Sequence, residues 1–206
     1  MTLYRRLVVP RLIELSMRQP QMRDYRRGLV PEARGRVLEV GVGSGLNLPF
    51  YAEDVREVVG VDPSEELLEM ARRRAAEAGR PVTLTRASAT SLPLDDASFD
   101  TIVMTWTLTL CTIPDPLAAL GEMRRVLKPG GALLFIEHGL SPEPAVARWQ
   151  HRLTPIWRRF TGGCHLDRKM DDLFRAAGFD LPELRNEYAK GPRPMTYMYE
   201  GRAVRA

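Results

Sequence analysis

Apolar residues in this chain fall into short runs closed by glycine, proline or an acid. The runs are Arg36-Val37-Leu38, Val58-Val59-Gly60-Val61-Asp62, Pro81 to Arg86, Thr101 to Thr105 and Ala132 to Glu137. Runs this short and this apolar predict buried strands. Helical period appears between them. Residues 64–79 form a helix with Pro63-Ser64 as the start signal and Gly79 as the stop, and Leu46-Asn47-Leu48-Pro49-Phe50-Tyr51 opens a short one. Towards the end, residues 166–177 predict a helix stopped by Gly178, then strands near 181–188 and 195–204.

The amino end has a different pattern. Across residues 2–28, Leu3, Leu7, Val8, Leu12 and Leu15 recur at helical spacing among basic residues, and Pro10 starts a second helix or kinks the first. Such a stripe suits either a lid packed over a ligand cleft or a weak peripheral contact with a membrane surface. The stripe is short and proline-interrupted, so the lid is the expectation. Tyr4, Tyr25 and the neighbouring arginines lie within reach of a substrate, but no spacing singles one out.

Composition changes the picture little. A chain of 206 residues accommodates one domain, here 29–206 behind the amino-terminal segment 1–28. Net charge is +4 and the arginines are scattered, so no nucleic-acid partner is indicated. The two cysteines, Cys111 and Cys164, have no paired spacing and are expected to be packing residues. Three scattered histidines give no metal-ligand spacing. With no signal peptide and no long apolar span, the expectation is a reduced, soluble, cytoplasmic protein.

Chemistry enters at Glu39-Val40-Gly41-Val42-Gly43-Ser44-Gly45-Leu46-Asn47, directly after the first strand. Alternate glycines let a ligand approach bare backbone. Glu39 would repel a pyrophosphate there but welcome a cation. Twenty-three residues on, the second strand ends in Asp62, suited to the two hydroxyls of a ribose. One ligand satisfies both acids: the cationic amino-acid nucleoside S-adenosylmethionine. A dinucleotide enzyme wants Gly-x-Gly-x-x-Gly, and here Leu46 and Asn47 follow a third glycine that comes one residue early.

More specific stretches follow. Ala87-Ser88-Ala89-Thr90-Ser91-Leu92-Pro93-Leu94 leads through an acidic loop to Ser98-Phe99-Asp100 before the fourth strand, and Arg125-Val126-Leu127-Lys128-Pro129-Gly130-Gly131 leads into the fifth. In this order and spacing they resemble the class I S-adenosylmethionine-dependent methyltransferases, over residues 35 to 138. The resemblance implies a Rossmann-like α/β sandwich: a seven-stranded, mostly parallel sheet with helices on both faces and an antiparallel C-terminal hairpin. It also implies that Glu39, Gly41, Gly43, Gly45 and Asn47 hold the methionine part of the cofactor and Asp62 with Pro63 the ribose. Ser88 and Ala89 would hold the adenine, with Thr105 and Thr107 at the end of the fourth strand. Many members carry Asp where this chain has Ser88, which leaves the adenine to a hydroxyl and backbone.

Within that class the chain is similar to the alkyl thiol methyltransferases, membrane-associated in animals. The shared features are "TLxLCxI" at 107–113, "EHG" at 137–139 and, after a helical substrate-side insertion at about 142–165, "TPIWRRFTGGCHLDR" at 154–168. The last block lies outside the generic fold. The animal proteins begin with a hydrophobic anchor that this sequence is expected to lack. Reactive groups gather beyond the carboxyl ends of the strands. Trp106, Leu108 and Thr109 are therefore expected to face the acceptor, with Tyr51 walling the pocket near the methionine end. His138 is the candidate general base, with a structural histidine as the alternative. The expected reaction is methyl transfer to a small-molecule acceptor, a thiol above the others. A thiol needs only deprotonation. A phospholipid amine or a quinone or phenol acceptor would lean on a carboxylate, for which Asp115 and Glu137 are available. A cofactor-binding module without activity is the remaining alternative.

Overall fold

A computed structural model of the chain describes residues 14–106, 113–160 and 163–206. Seven strands form one sheet: β1 Gly35–Val40, β2 Val55–Asp62, β3 Val82–Arg86, β4 Phe99–Thr105, β5 Leu127–His138, β6 Phe179–Tyr188 and β7 Tyr197–Arg205. Their order is β3-β2-β1-β4-β5-β7-β6. β1 to β5 run parallel, and β7 pairs antiparallel with both β5 and β6. The expected sheet, with its closing hairpin, is the observed one. The order reverses beside β1, between β2 and β4, which opens a crevice above the carboxyl ends of these strands.

Among the described residues, helices α1 Pro20–Leu29, α2 Glu65–Ala75, α3 Pro116–Val126, α4 Pro144–Phe160 and α5 Met170–Ala176 cover the sheet. Alternation along the strands builds a core on each face. On one face Leu38, Ile102, Met104, Leu133 and Phe135 pack with Leu120 and Met123 of α3 and Phe174 of α5. Phe135 stacks on Phe174 with ring centroids 4.3 Å apart. On the other, Val37, Val103, Leu134, Ile136 and Met198 meet Leu29, with Met22 and Tyr25 of α1 packed alongside.

Several boundaries differ from the sequence expectation, each for a local reason. The 46–51 segment makes only a 3₁₀ turn, Leu48–Phe50, because Asn47 and Tyr51 are drawn inward to Glu39. α2 starts where expected, with the Ser64 hydroxyl accepting the Leu67 N–H, but ends at Ala75 in a turn running to Gly79 at φ +66°. The last helix begins at Met170 rather than 166, since the Arg168 carbonyl accepts the Leu140 N–H and pins the preceding turn to the end of β5. β5 starts early: Leu127 pairs with Phe99, the Lys128–Gly131 segment bulges out, and pairing resumes at Ala132 with Thr101. Among the described residues no helix is long and apolar enough to cross a membrane.

Candidate active site

A pocket opens above the carboxyl ends of β1, β2 and β4. Glu39, the penultimate residue of β1, is buried at its floor. Its Oε1 accepts from Asn47 Nδ2 at 2.9 Å and its Oε2 from the Tyr51 hydroxyl at 2.8 Å. Asn47 Nδ2 also donates to Thr105 Oγ1 at 2.8 Å, which ties the glycine loop to the end of β4. Burial, only partly offset by these neutral donors, pushes the Glu39 carboxyl up to about 7. A desolvated carboxylate with no cation in hydrogen-bond contact favours a ligand that brings one.

Asp62 closes the opposite wall. Its Oδ2 accepts from Gly43 N at 3.0 Å and its Oδ1 from Ser64 N at 2.8 Å. These bonds fix the carboxylate while leaving lone pairs on both oxygens, although burial still raises its pKa. Gly43 sits at φ +54°, a left-handed conformation a side chain resists, and only there does its N–H meet Asp62.

Arg26 was not singled out by the sequence. Its guanidinium is buried, donates from Nε to Asn47 Oδ1 at 2.9 Å and from Nη1 to the Met17 carbonyl at 2.9 Å, and lies 5.4 Å from the centroid of the Trp106 ring. Arg26 and Met17 line the pocket together with Glu39, Gly43, Asp62 and Thr105. A signal was present: Arg26 interrupts the apolar stripe Met22–Tyr25–Leu29 of α1 at helical spacing, and a charge there needs a buried partner. Glu14 latches the same segment to the loop, accepting from Ser44 Oγ and from Arg74 Nη2.

The sequence-predicted residues divide into three groups. Glu39, Gly41, Gly43, Asn47, Asp62, Thr105 and Trp106 come together around the pocket. Others fall away from its lining. Gly45, at φ +80°, is where the loop packs on α2: a Cβ there would lie 3.0 Å from Leu48 Cδ1 and 3.2 Å from the Ala71 Cα. Tyr51, expected to wall the pocket near the methionine end, is buried and holds the Glu39 carboxylate there without joining the pocket lining. Pro63 starts the turn into α2, Ser88 is exposed with its hydroxyl 2.8 Å from Thr90 Oγ1, and Ala89 is buried in the core. Thr107, Leu108, Thr109 and Cys111 lie outside the described residues. Just before them, Trp106 takes φ +35°, a strained backbone for a bulky residue and a recurrent feature of functional sites.

A second cluster sits at the end of β5. His138 Nε2 lies 3.0 Å from the Sγ of Cys164, and among the described residues neither His138 Nδ1 nor either oxygen of the fully buried Glu137 has a hydrogen-bond partner. Burial pushes the Glu137 carboxyl up to about 8. Burial alone would lower the His138 pKa, but the Cys164 sulfur and the Glu137 carboxylate outweigh it and raise it. Cys164 does pack with Leu166, Leu153 and Trp157, as expected of a buried thiol, but it also touches an imidazole that no spacing placed there. The surroundings are tied from three sides: Gln150 donates to the Gly139 carbonyl at 2.9 Å and to that of Pro194 at 3.1 Å, and Arg168 donates to the Ile113 carbonyl at 3.0 Å.

Residues 38–135 match the family model described as a methyltransferase domain. The chain is 32% identical over 181 residues to a human thiol S-methyltransferase, a match covering 82% of this chain and 71% of that one. The chain belongs to the class I S-adenosylmethionine-dependent methyltransferases. A phosphatidylethanolamine N-methyltransferase of Cereibacter sphaeroides is 38% identical over 128 residues, covering 58% of this chain and 62% of that protein. Among solved structures, a Thermotoga maritima S-adenosylmethionine-dependent methyltransferase, described as a possible histamine N-methyltransferase, superposes with a TM-score of 0.67 at 26% identity. That superposition covers 96% of this chain and 98% of the other. The chain spans 55%, 49% and 62% of the length of three curated relatives that it matches at 38% identity.

Proposed function

We propose that this methyltransferase domain acts on a small apolar thiol. S-adenosylmethionine, when bound, supplies a methyl group already activated by its sulfonium. The pocket suits that cofactor on three counts. Glu39 and Arg26 offer an anion and a cation to a zwitterionic amino-acid end. Asp62, held by two backbone N–H groups, keeps acceptor capacity for a pair of ribose hydroxyls. Thr105, Trp106 and Asn47 line the pocket at the end where β4 stops, the side from which an acceptor would meet the methyl group.

The observation that carries the thiol over an amine is the state of the two acceptor-side carboxylates. Asp115 caps α3, its Oδ1 accepting the Ala118 N–H at 2.9 Å. Burial pushes Glu137 towards its uncharged form. Asp115 is exposed at the start of α3, so neither residue is a ready-made buried anion for an ammonium acceptor. A thiol needs only a proton acceptor, and His138 Nδ1 is the nitrogen without a partner. The block containing Cys164 and Arg168 supports the same reading: it belongs to the resemblance with thiol methyltransferases, and here it builds the walls around His138. Residues 14–29, which bring Met17 and Arg26 to the pocket, act as its cover.

A panel of thiols, amines, phenols and phospholipids incubated with methyl-labelled cofactor tests the assignment. Label is expected in apolar thiols. Methylation of phosphatidylethanolamine or a phenol with every thiol untouched overturns it, and tight binding of a nicotinamide dinucleotide overturns the cofactor assignment.

A further inference from the structure

Helix α4 runs over the acceptor end of the fold, and its two sides differ sharply. Val146, Gln150 and Thr154 are buried, the Thr154 hydroxyl bonding back to the Gln150 carbonyl ahead of Pro155. The outer side carries two of the few exposed large apolar side chains in the described structure, Trp149 at 56% and Ile156 at 60% exposure. Seven residues apart, they stand two turns from each other on one line of the helix. Beside that line run Arg148, Arg152 and Arg159, all exposed and also at helical spacing. α4 contains no Asp or Glu. Two acids close to the helix are occupied: Glu143, just before it, pairs with Arg193, and Asp167 lies 3.2 Å from His151.

A solvated helix face does not need an exposed Trp and Ile in register with three exposed arginines. We infer that the outer face of α4 docks on an anionic lipid surface, with Trp149 and Ile156 entering the headgroup boundary and Arg148, Arg152 and Arg159 meeting lipid phosphates. Charge complementarity selects this occupant. A second copy of the same face would set three arginines against three, and a nucleic-acid backbone would leave the apolar line in water. α4 also holds Gly139, next to His138, through Gln150, so the docked face lies behind the acceptor end of the site.

Co-sedimentation of the full chain with vesicles tests this, and it needs no methyl acceptor, so its outcome is independent of the proposed reaction. Binding is expected to phosphatidylcholine vesicles containing phosphatidylglycerol, not to phosphatidylcholine alone, and to weaken as salt rises. Replacing each arginine by Gln should lower partitioning about fivefold, so R148Q/R152Q/R159Q loses on the order of a hundredfold. W149S/I156S should lose at least tenfold, with thermal unfolding unchanged because every altered side chain is exposed. Absence of binding by the wild-type chain overturns the inference. So does undiminished binding by both variants, which would assign the contact to residues 1–28. A loss of duplex DNA binding or of self-association in these variants, with vesicle binding intact, overturns it as well.

Discussion

The two ends of the site are built on opposite plans. At the cofactor end the charged groups are held by contacts the chain itself supplies: Asp62 by two N–H groups, Glu39 by an amide and a phenol, and Arg26 by a side-chain and a backbone carbonyl. At the proposed acceptor end, among the described residues, Glu137 is buried with both oxygens unpaired, and His138 has one nitrogen against a sulfur and the other without a partner. The first end is preorganised around a ligand of fixed shape. The second leaves costly buried polar groups unsatisfied, which a protein retains where chemistry uses them. The contrast teaches that binding and reaction are separable here, and mutations should separate them.

The largest effects should divide along that line. Asp62→Ala removes charge-assisted hydrogen bonds to two ribose hydroxyls, worth roughly 1.5–3 kcal/mol each, and should weaken S-adenosylhomocysteine by about 10²–10⁴-fold in calorimetric titration. His138→Ala should do the reverse. Cofactor affinity stays near wild type, while the maximal rate falls by roughly 10²–10⁴-fold, the usual worth of a general base. With His138 as the base, the bend in the pH–rate profile stays in place for every thiol tested. A bend that follows each thiol's own pKa, with the mutant nearly as fast, would remove His138 from the reaction and erase the contrast.

Arg26→Gln should cost about 1.5–3 kcal/mol of cofactor binding, since one charged contact to a carboxylate disappears. An S-adenosyl analogue lacking that carboxylate should bind mutant and wild type alike. Next comes pH. The Glu39 carboxyl lies near 7, so it must lose a proton to serve a cationic ligand. Affinity should fall by up to tenfold per pH unit below 7 and level off above, and Glu39→Gln should flatten that dependence. Titration in buffers of different ionisation enthalpy would register the released proton.

The last effect concerns stability at the end of β5. The Glu137 carboxyl is raised from 4.5 to about 8, so the folded state holds a proton that the unfolded chain releases between those values. Its contribution is therefore full below pH 4.5 and is lost as pH rises through 8. Glu137→Met removes the buried acid and should stabilise the fold by roughly 1–4 kcal/mol at pH 8 in urea unfolding, with less gain at pH 5. A destabilised mutant at both pH values would show that Glu137 has a partner in the working protein.

Much of the cofactor end was legible because it is local. Glu39 lies at the end of β1, Gly41, Gly43 and Asn47 follow in one loop, and Asp62 ends the strand that pairs with β1, so strand pattern and turn chemistry suffice to place them together. Gly45 and Tyr51 belong to the same stretch yet serve packing and support, a distinction set by Ala71 and Glu39 rather than by the stretch itself. Arg26 was legible only as a misplaced charge.

The sequence by itself determined the alternation of strands and helices, the glycine loop and the two acids at neighbouring strand ends, because period and turn preference act over a few residues. The tertiary structure alone decided what depends on long separations. It set Cys164 against His138 across 26 positions, carried Tyr25 to Glu187 across 162, and turned α4 so that Trp149 and Ile156 face outward. Such meetings follow from how layers pack and which polar groups lose water together, and no local pattern encodes either.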